Sequence, residues 1–332
     1  MTNIIPTLTV FTPAYNRAHT IERTYKSLCR QTNHDFMWII IDDGSTDNTH
    51  KLCESWIFAD TMNSSTGNEI IGYARDAKWL KIHYVYKKNG GMHTAHNEAY
   101  RHIGTELAVC IDSDDWMPDN GVEMIISRWC RYGNEKYAGM VGLDIFEDGY
   151  VVGTCFPKGL HECKTYDMGP KYGVVCDKKY VYRTDVIKKY LPYPEFEGER
   201  YGTVNYLYQV IDHDYDMLCS NDVYCIVEYQ SDGLSVNIFN QLKQSPKTRA
   251  VECNIEMKHQ PYLKNKLKKA IQYTTCAILS KNINYIKDTS SKVLVLLATP
   301  LGILYYIIIK YKKIKHLDIN KVKHKLLPSD EC

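Results

Sequence analysis

Three acidic residues follow a short apolar run in the segment LAVCIDSDDWMP, which extends from Leu107 to Pro118. Aspartate is unfavourable inside a strand, so the strand is expected to end where the acids begin. Residues two apart in extended chain point to the same side, so Asp112 and Asp114 can present their carboxylates together. Such a pair can share a hard divalent cation whose other ligands are substrate phosphates. The alternative is a solvated Asx turn.

Two further polar clusters also follow apolar runs. Asp42 and Asp43 open the segment DDGST, where a carboxylate can accept a hydrogen bond from a base imide or a ribose hydroxyl. The same segment can instead only cap the next helix, with Asp47 as the best cap. The segment NGG at 89–91 would let the backbone approach a ligand closely because glycine has no Cβ. Its alternative is a plain tight turn.

The elements that position these clusters alternate along the first third of the chain. Apolar runs predict four strands, at 8–12, 36–41, 81–86 and 107–111. Helical periodicity predicts three helices between them, at 19–31, 48–59 and 93–102. This alternation favours a parallel sheet with helices on both faces, which binds ligands beyond the carboxyl ends of its strands. The segments PAYNR, DDGST, KNGG and DSDD should therefore meet in one crevice.

The rest of the chain alternates less regularly. The polar segment 60–72 predicts a surface loop. Further strands are predicted at 138–143, 150–156, 174–181 and 224–229. Further helices are predicted at 121–130, 183–190 and 260–279.

Taken together, four blocks of the chain resemble the family 2 glycosyltransferases of the GT-A fold. The blocks are LTVFTPAYNRAHTIERTYKSL, IIIDDGSTDNT, NGGMHTAHNEA and CIDSDDWMPDN, within residues 7–125. The later stretches LPYPEFEGERY and VEYQSDGLS resemble the branch that builds bacterial capsules and other cell-surface polysaccharides. The resemblance implies an α/β fold with a Rossmann-like, mostly parallel sheet. It implies a catalytic domain at 1–240, with a nucleotide-sugar-binding half (1–120) and an acceptor-binding half (121–240).

The resemblance also implies roles for the residues at the strand ends. The pocket for the nucleotide base would be lined by Thr12, Pro13, Ala14 and Tyr15. Asp43 would bind the base and Asp42 would support the loop, while Asn89 and Gly90 would approach the ribose and the donor sugar. Asp112 and Ser113 are expected near the ribose. Mn²⁺ or Mg²⁺ would neutralise the leaving diphosphate, held by the acids Asp112, Asp114 and Asp115.

Members of this family invert the anomeric carbon, and a carboxylate deprotonates the acceptor hydroxyl in a single displacement. The segment PEFEGER supplies the candidates for this base, Glu199 first and Glu197 second. Relatives in this branch are expected to have a further Glu shortly afterwards, where this chain has Gly, Thr, Val and Asn at 202–205. Both Glu residues can instead only cap a helix or pair with Arg200. The next candidates would then be Asp212, Glu162 and Asp167.

The C-terminal region, 241–332, is predicted to be helical and basic. It contains 18 Lys and Arg against 6 Asp and Glu, whereas residues 1–240 contain 23 against 33. Residues 293–309, VLVLLATPLGILYYIII, are uncharged, interrupted by Pro and Gly, and at the short limit for a membrane span. Four lysines follow, at 310, 312, 313 and 315, which favours an anionic cytoplasmic leaflet. The prediction is a helix lying in or dipping into the membrane; a span and a buried helix are the alternatives.

The sequence thus predicts an inverting, metal-dependent glycosyltransferase at the inner face of the plasma membrane. Its donor would be a nucleotide-diphospho-sugar, with UDP the commonest nucleotide in the family, and its acceptor a saccharide, expected to be polyprenyl-linked. A catalytically silent nucleotide-sugar-binding protein is the alternative. The first strand is not followed by GxGxxG, which argues against a dehydrogenase. The acidic front half, without an aromatic-basic motif, argues against nucleic-acid binding. The twelve cysteines are scattered and contain no CxxC pair, which predicts reduced thiols and no zinc site. The first eight residues are uncharged and do not resemble a signal peptide, which predicts a cytoplasmic location.

Overall fold

The computed structural model describes residues 5–59, 68–228, 242–311 and 332. The strands in this part of the chain are β1 Leu8–Ala14, β2 Phe36–Asp42, β3 Ile57–Ala59, β4 Glu69–Ala74, β5 Lys81–Tyr86, β6 Leu107–Cys110, β7 Tyr137–Phe146, β8 Glu162–Cys163, β9 Lys178–Arg183 and β10 Asp216–Val227. The α-helices are α1 Ile21–Cys29, α2 Thr49–Trp56, α3 Met92–His102, α4 Gly121–Tyr132, α5 Met168–Tyr172, α6 Thr184–Ile187, α7 Tyr206–Ile211, α8 Pro246–His259, α9 Leu263–Leu279, α10 Tyr285–Asp288 and α11 Lys292–Tyr311.

The described strands form one mixed sheet in the order β3-β4-β5-β2-β1-β6-β9-β7-β10-β8. Its centre is parallel, because β1 pairs in parallel with both β2 and β6, and β2 pairs in parallel with β5. Ala14 lies opposite Asp42, and Asp42 lies opposite Tyr86. The carboxyl ends of these strands therefore meet at one edge of the sheet, as the sequence predicted.

Helices cover both faces of the central strands, and β2 shows why. Phe36, Trp38 and Ile40 point into one apolar cluster, where Trp38 and Trp56 lie near Tyr25. Ile39 and Ile41 point into the other cluster, which includes residues of α3. A strand buried on both faces reads as a continuous apolar run, and this explains the segment FMWIII.

Several element predictions were wrong in detail. The predicted loop at 60–72 gives way to β4 from Glu69 onward, because this segment pairs antiparallel with β5. The predicted strand at 150–156 is reduced to a single bridge between Val151 and Ile145. The helix predicted at 183–190 is the short α6, and the strand predicted at 224–229 begins much earlier, at Asp216. Residues 60–67 and residue 229 lie outside the described residues.

The C-terminal helices form a small bundle with its own apolar clusters. One cluster joins α8, α9 and α11 through Cys253, Met257, Tyr273 and Val295. Gly302 allows α11 to lie close to α9, since a Cβ at this glycine would lie 2.6 Å from side-chain atoms of Thr274.

The cysteines depart in one place from the expectation of fully reduced thiols. The structure joins Cys155 to Cys332 in a disulfide, with their Cα atoms 5.8 Å apart. The other ten cysteines are free. The expectation was wrong for this pair because the two cysteines are 177 positions apart, and no local spacing indicates that they meet.

Candidate active site

Asp42 supports the loop that follows β2. Its buried carboxylate accepts a hydrogen bond from the Ser45 amide at 2.7 Å and from the Tyr84 hydroxyl at 2.6 Å. Burial, and then the hydrogen bond to this carboxylate, raise the pKa of Tyr84, so the hydroxyl stays protonated and donates. This contact braces the loop from the core side, as expected for Asp42.

Asp43 organises the adjacent loop at 89–91. Its carboxylate accepts from the Lys87 ammonium at 2.6 Å and from the amides of Gly90 and Gly91 at 3.0 and 2.7 Å. Asn89 donates to the Asp43 carboxylate and carbonyl. The residues predicted to bind the nucleotide thus meet in one place, and Lys87, which the sequence reasoning missed, is part of the same cluster.

The conformation of this loop depends on two glycines. Gly44 has φ +78°, and a Cβ there would lie 2.7 Å from the Asn89 amide nitrogen. Gly91 has φ +95° and begins α3, and a Cβ there would lie 1.8 Å from the Arg200 carbonyl oxygen. Only glycine fits both the backbone conformation and these close approaches. The segment around Arg200 therefore covers the start of α3.

Removing the Asp43 carboxylate is expected to damage both binding and stability. In Asp43→Ala, the mostly buried Lys87 loses its counter-ion, and breaking such a pair costs about 3–5 kcal/mol of unfolding free energy. Loss of a charge-assisted hydrogen bond is expected to weaken nucleotide binding tenfold to a hundredfold, at about 1.5–3 kcal/mol. Calorimetric titration with nucleotide, alongside chemical unfolding, checks both effects. Asp35→Ala, near the amino end of β2, is the control, and an unchanged dissociation constant in Asp43→Ala would contradict the assignment.

The DSDD segment forms a turn after β6, in place of the extended chain that was expected, since the Asp115 amide donates to the Asp112 carbonyl at 3.0 Å. Asp112 and Asp114 are partly exposed, whereas Ser113 and Asp115 are buried. Burial, and then the negative charge of Asp112, raise the pKa of Asp114. Two neighbouring carboxylates in this state are suited to sharing a cation. Ser113 lies on the opposite, buried side, which does not fit the expected contact of its side chain with the nucleotide.

Asp115 belongs to an internal ion-pair cluster in place of the expected metal site. Its carboxylate lies 3.7 Å from the Lys179 ammonium and accepts from the Glu228 amide at 3.4 Å. Lys179, on β9, also lies 3.9 Å from the buried Asp144. Burial opposes the charged form of Lys179, but Asp144 and the other nearby acids raise its pKa well above its usual value. This lysine, missed from the sequence, keeps Asp115 turned into the core.

The predicted base-pocket residues of β1 have different surroundings. Thr12 is buried, and its hydroxyl accepts a hydrogen bond from the Trp38 indole at 2.9 Å, so its side chain serves the core. Ala14 is also buried, Pro13 is partly exposed, and Tyr15 is exposed by 44%. Tyr15 and Pro13 are thus the two residues of this set that present side-chain surface to a ligand.

Glu199 anchors the first turn of α8. Its carboxylate accepts from the Lys247 amide at 2.9 Å, and from the Thr248 amide and hydroxyl at 2.7 and 2.8 Å. These amides are among the helix donors that have no partner within the helix. The structure therefore gives Glu199 the helix-capping role, in place of the free general base that was expected.

The carboxylates of the other candidate bases differ in whether they accept hydrogen bonds from the protein. Asp212 accepts from the amides of Thr165 and Tyr166, and Glu162 and Asp167 also have protein donors. Glu197 is exposed and has no hydrogen bond or ion pair with any described residue. Both Glu197 and Glu199 lie in the segment that covers the start of α3.

His93 is a further residue of the site that the sequence reasoning did not assign. Its ring lies under the same segment, with Nδ1 accepting from the Gly202 amide at 3.1 Å. Thr203, next in the chain, donates through its amide and hydroxyl to the buried Glu252 of α8. Because these partners are far apart in sequence, no local pattern indicates them.

A cleft of about 240 Å³ lies in the second half of the domain. Its lining consists of aromatic and polar residues, namely Thr165, Tyr166, Cys176, Asp177, Lys178, Tyr180, Asn205, Tyr208 and Gln209. The rings of Tyr180 and Tyr208 lie 4.3 Å apart. Burial raises the pKa of Tyr208, and the nearby Cys110 and Asp112 raise it further, so this tyrosine of the cleft lies within electrostatic range of Asp112.

Comparison with known proteins agrees with this geometry. The family described as Glycosyl transferase family 2 matches residues 9–191, more than half of the chain. The teichuronic acid biosynthesis glycosyltransferase TuaG of Bacillus subtilis, a protein named as putative, is 29% identical over 182 residues, covering 53% of this chain and 61% of TuaG. The chondroitin synthase of Pasteurella multocida is 29% identical over 127 residues, covering 38% of this chain and 11% of that enzyme. The chain thus spans less than two thirds of the length of these relatives.

Solved structures share the fold at low sequence identity. S. aureus TarS 1-349 in complex with UDP-GlcNAc is 15% identical with a TM-score of 0.53, and the match covers 92% of this chain and 90% of that one. The mannosyltransferase PcManGT of Pyrobaculum calidifontis, in complex with GDP-Man and Mn²⁺, is 16% identical with a TM-score of 0.50, covering 93% and 83%. The predicted family and fold are confirmed: this chain belongs to family 2 of the glycosyl transferases and has the GT-A fold.

Proposed function

We propose that this chain transfers a sugar from a nucleotide-diphospho-sugar to a saccharide acceptor during assembly of a bacterial cell-surface polysaccharide. The observation that carries the proposal is the pair of partly exposed carboxylates, Asp112 and Asp114, in the turn after β6, where the charge of Asp112 acts on Asp114. They lie at the same sheet edge as the loop held by Asp43. The similarity to TuaG and to the chondroitin synthase, both named for polysaccharide synthesis, supports this assignment.

Asp112 and Asp114 fit a divalent cation, Mn²⁺ or Mg²⁺, because hard cations prefer carboxylate oxygens. Burial raises the pKa of Asp114, and the neighbouring charge of Asp112 raises it further, so a cation shared by the two carboxylates would relieve their repulsion. When bound, the cation would neutralise the charge of the departing diphosphate. Lys179 keeps Asp115 out of this pair by holding its carboxylate in the core.

The donor is proposed to be a UDP-sugar. The structure of TarS with UDP-GlcNAc supports a nucleotide-sugar in this fold, and the structure with GDP-Man makes guanosine the second nucleotide to test. Asp43 and the amides of Gly90 and Gly91 form the loop that would border the nucleotide, with Tyr15 beside it. Asp43 is already hydrogen-bonded within the protein, so we assign it chiefly to holding this loop in the binding conformation.

The reaction is proposed to invert the anomeric carbon by a single displacement. A carboxylate within reach of the acceptor hydroxyl would remove its proton. We assign this role to Glu197, since its carboxylate is exposed, whereas three donors engage Glu199. Glu199 and Gly198 would position it, because Glu199 ties this segment to α8 and Gly198 has φ +81°, which permits a tight turn.

The acceptor is proposed to bind in the cleft around Tyr180 and Tyr208. Aromatic rings flanked by polar side chains suit a saccharide, which presents apolar C–H faces and hydroxyl edges. Tyr208 lines the cleft and is influenced by the charge of Asp112, so an acceptor there would lie on the side of the cleft that faces the proposed cation. The proposal assigns acceptor binding to the half at 121–240.

Helix α11 supports a membrane partner for the basic C-terminal region at 241–332. Among the described residues it is the one helix long and apolar enough to cross a membrane. One face, with Val295, Ala298 and Gly302, is buried against α9. The other face is apolar yet exposed, with Leu297 at 70% and Leu301 at 48%. A helix packed on protein along one side is suited to lying in the membrane surface. The lysines at 312, 313 and 315 lie outside the described residues.

We therefore propose a peripheral or monotopic location at the cytoplasmic face of the plasma membrane, with a polyprenyl-linked acceptor. Leu297→Lys combined with Leu301→Lys is expected to weaken binding to anionic vesicles about 5- to 1,000-fold, because each inserted leucine is worth about 1.5–3 kcal/mol, of which each added lysine returns about 1 kcal/mol near anionic lipid. Vesicle co-sedimentation measures this. Phe58→Lys, at an exposed apolar residue of the distant strand β3, is the matched control. Equal binding of both variants and the wild type would contradict the membrane assignment.

A panel of nucleotide-sugars with Mn²⁺ tests the proposed function itself. Thermal shift identifies the donor that binds, and release of nucleoside diphosphate with and without an acceptor extract measures turnover. Acceptor-dependent release is expected. Binding without any release, in either condition, would instead favour a catalytically silent nucleotide-sugar-binding protein, the alternative motivated by the absence of a Glu at 202–205.

A further inference from the structure

A second group of metal-ligating side chains lies away from the acidic pair. Glu69, His83 and His102 each offer one ligand atom, and these atoms lie within 4.8 Å of one another. The His83 Nε2 lies 3.0 Å from a Glu69 carboxylate oxygen, and the two imidazole rings meet edge to face with centroids 4.7 Å apart. We propose that these three residues form a zinc site that joins the β4–β5 edge of the sheet to the end of α3.

The fold explains why the three residues meet. Glu69 pairs with Val85 in the β4–β5 ladder, so it lies on the same sheet face as His83, two residues before Val85. Val85 packs into the cluster that contains Ala99 and Ile103 of the α3 region, so this face is the one that α3 covers. His102 lies in the last turn of α3, and this places it against His83 and Glu69.

The donor set suits zinc better than the cations expected at the acidic pair. Zinc binds two imidazoles and one carboxylate with bonds of about 2.0–2.2 Å and leaves a fourth position for water. Ligand atoms of such a site lie roughly 3.4 Å apart, so small side-chain rotations suffice to complete it. His83 is buried, so its imidazole is held in place between Glu69 and His102.

Glu98 provides the outer contact that metal-bound imidazoles usually make. Its carboxylate lies 3.1 Å from the His102 Nε2, one turn earlier on α3. A carboxylate in this place fixes the ring orientation and raises the basicity of the ligand. A plain hydrogen-bonded network of Glu69 with His83 and of Glu98 with His102 is the competing account, and zinc binding separates the two.

The test uses the full chain carrying Asp114→Asn, so that the acidic pair does not contribute. Zinc affinity and stoichiometry are measured by competition with a chromophoric chelator. His83→Gln and His102→Gln are each expected to remove one zinc per chain. Glu98→Gln is expected to weaken binding by the roughly 10- to 100-fold that losing an outer contact costs. His161→Gln, an exposed histidine beside β8, is the matched control and should bind as the parent does.

Two measurements keep the test decisive if a variant folds poorly. Glu69→Gln preserves shape and a hydrogen bond to His83, so its zinc affinity should fall while its circular dichroism stays unchanged. Cobalt(II) bound to the parent should show visible bands without a thiolate charge-transfer band. Equal zinc stoichiometry in the parent and all ligand variants, or a cobalt spectrum dominated by thiolate, would overturn the proposal. Neither result depends on transferase activity, so failure here would leave the proposed function untouched.

Discussion

Asp114→Asn and Asp112→Asn are each expected to reduce sugar transfer by at least about 10³-fold. Neutralising the charge of a departing diphosphate is worth several kcal/mol, and each 1.36 kcal/mol is a factor of ten in rate. Either substitution removes a charged ligand from the pair that is suited to the cation. Nucleoside diphosphate release under saturating donor, together with metal-dependent nucleotide binding by calorimetry, measures the loss.

The control for these variants is Asp119→Asn. It makes the same charge change a few positions after Asp114, at an exposed residue that forms an ion pair with Arg30. It should retain wild-type rate. Asp115→Asn is the informative contrast, because it leaves the buried Lys179 without one of its counter-ions and should act mainly on stability. Wild-type turnover in Asp114→Asn and Asp112→Asn, or full activity of the native chain in excess EDTA, would contradict the metal assignment.

Glu197→Gln is expected to lower kcat by roughly 10²–10⁴ and to leave nucleotide binding almost unchanged. This is the usual contribution of a general base in the transition state. The exposed carboxylate at the turn after Phe196 is free to meet an acceptor hydroxyl, and glutamine keeps its shape while removing its basicity. Single-turnover kinetics and nucleotide calorimetry separate the two effects.

Glu199 provides the matched comparison within the same segment. Glu199→Ala removes the acceptor for the first amides of α8, and loss of a helix cap costs about 0.5–2 kcal/mol of unfolding free energy. Its thermal midpoint should fall, and Glu199→Gln should retain most of the rate. A rate loss confined to Glu199→Gln would move the base to that residue. Full rate in both glutamine variants would refute both assignments.

Local pattern predicted the parts of the site that local geometry decides. The D-x-D spacing indicated that Asp112 and Asp114 form a pair, and the structure leaves both partly exposed, but it places them in a turn and not in the extended chain that the prediction assumed. The apolar run at 36–41 predicted a strand buried on both faces. The meeting of the Asp43 and Asn89 segments followed from the parallel order of β1, β2 and β5.

Contacts between distant segments decided what the sequence could not predict. Asp115 is turned inward by Lys179, more than sixty positions later, and Glu199 is engaged by a helix that begins at Pro246. Glu69 looked like part of a loop because its strand is stabilised by pairing with β5, not by its own polar composition. In each case a residue type allowed two roles, and a partner from another element selected one.

The capping of α8 by Glu199 has a consequence for how this enzyme can be modified or recombined. Ser245 and Glu252 also reach back to the segment 200–203, and that segment rests on His93 and Gly91. Truncation before α8, made to increase solubility, would leave the segment 200–203 without its hydrogen-bond partners, beside the proposed donor crevice. A chimera with another relative's tail would need to bring matching contacts with it. The C-terminal helices therefore support the segment that borders the proposed donor site, and they cannot be exchanged as an independent membrane anchor.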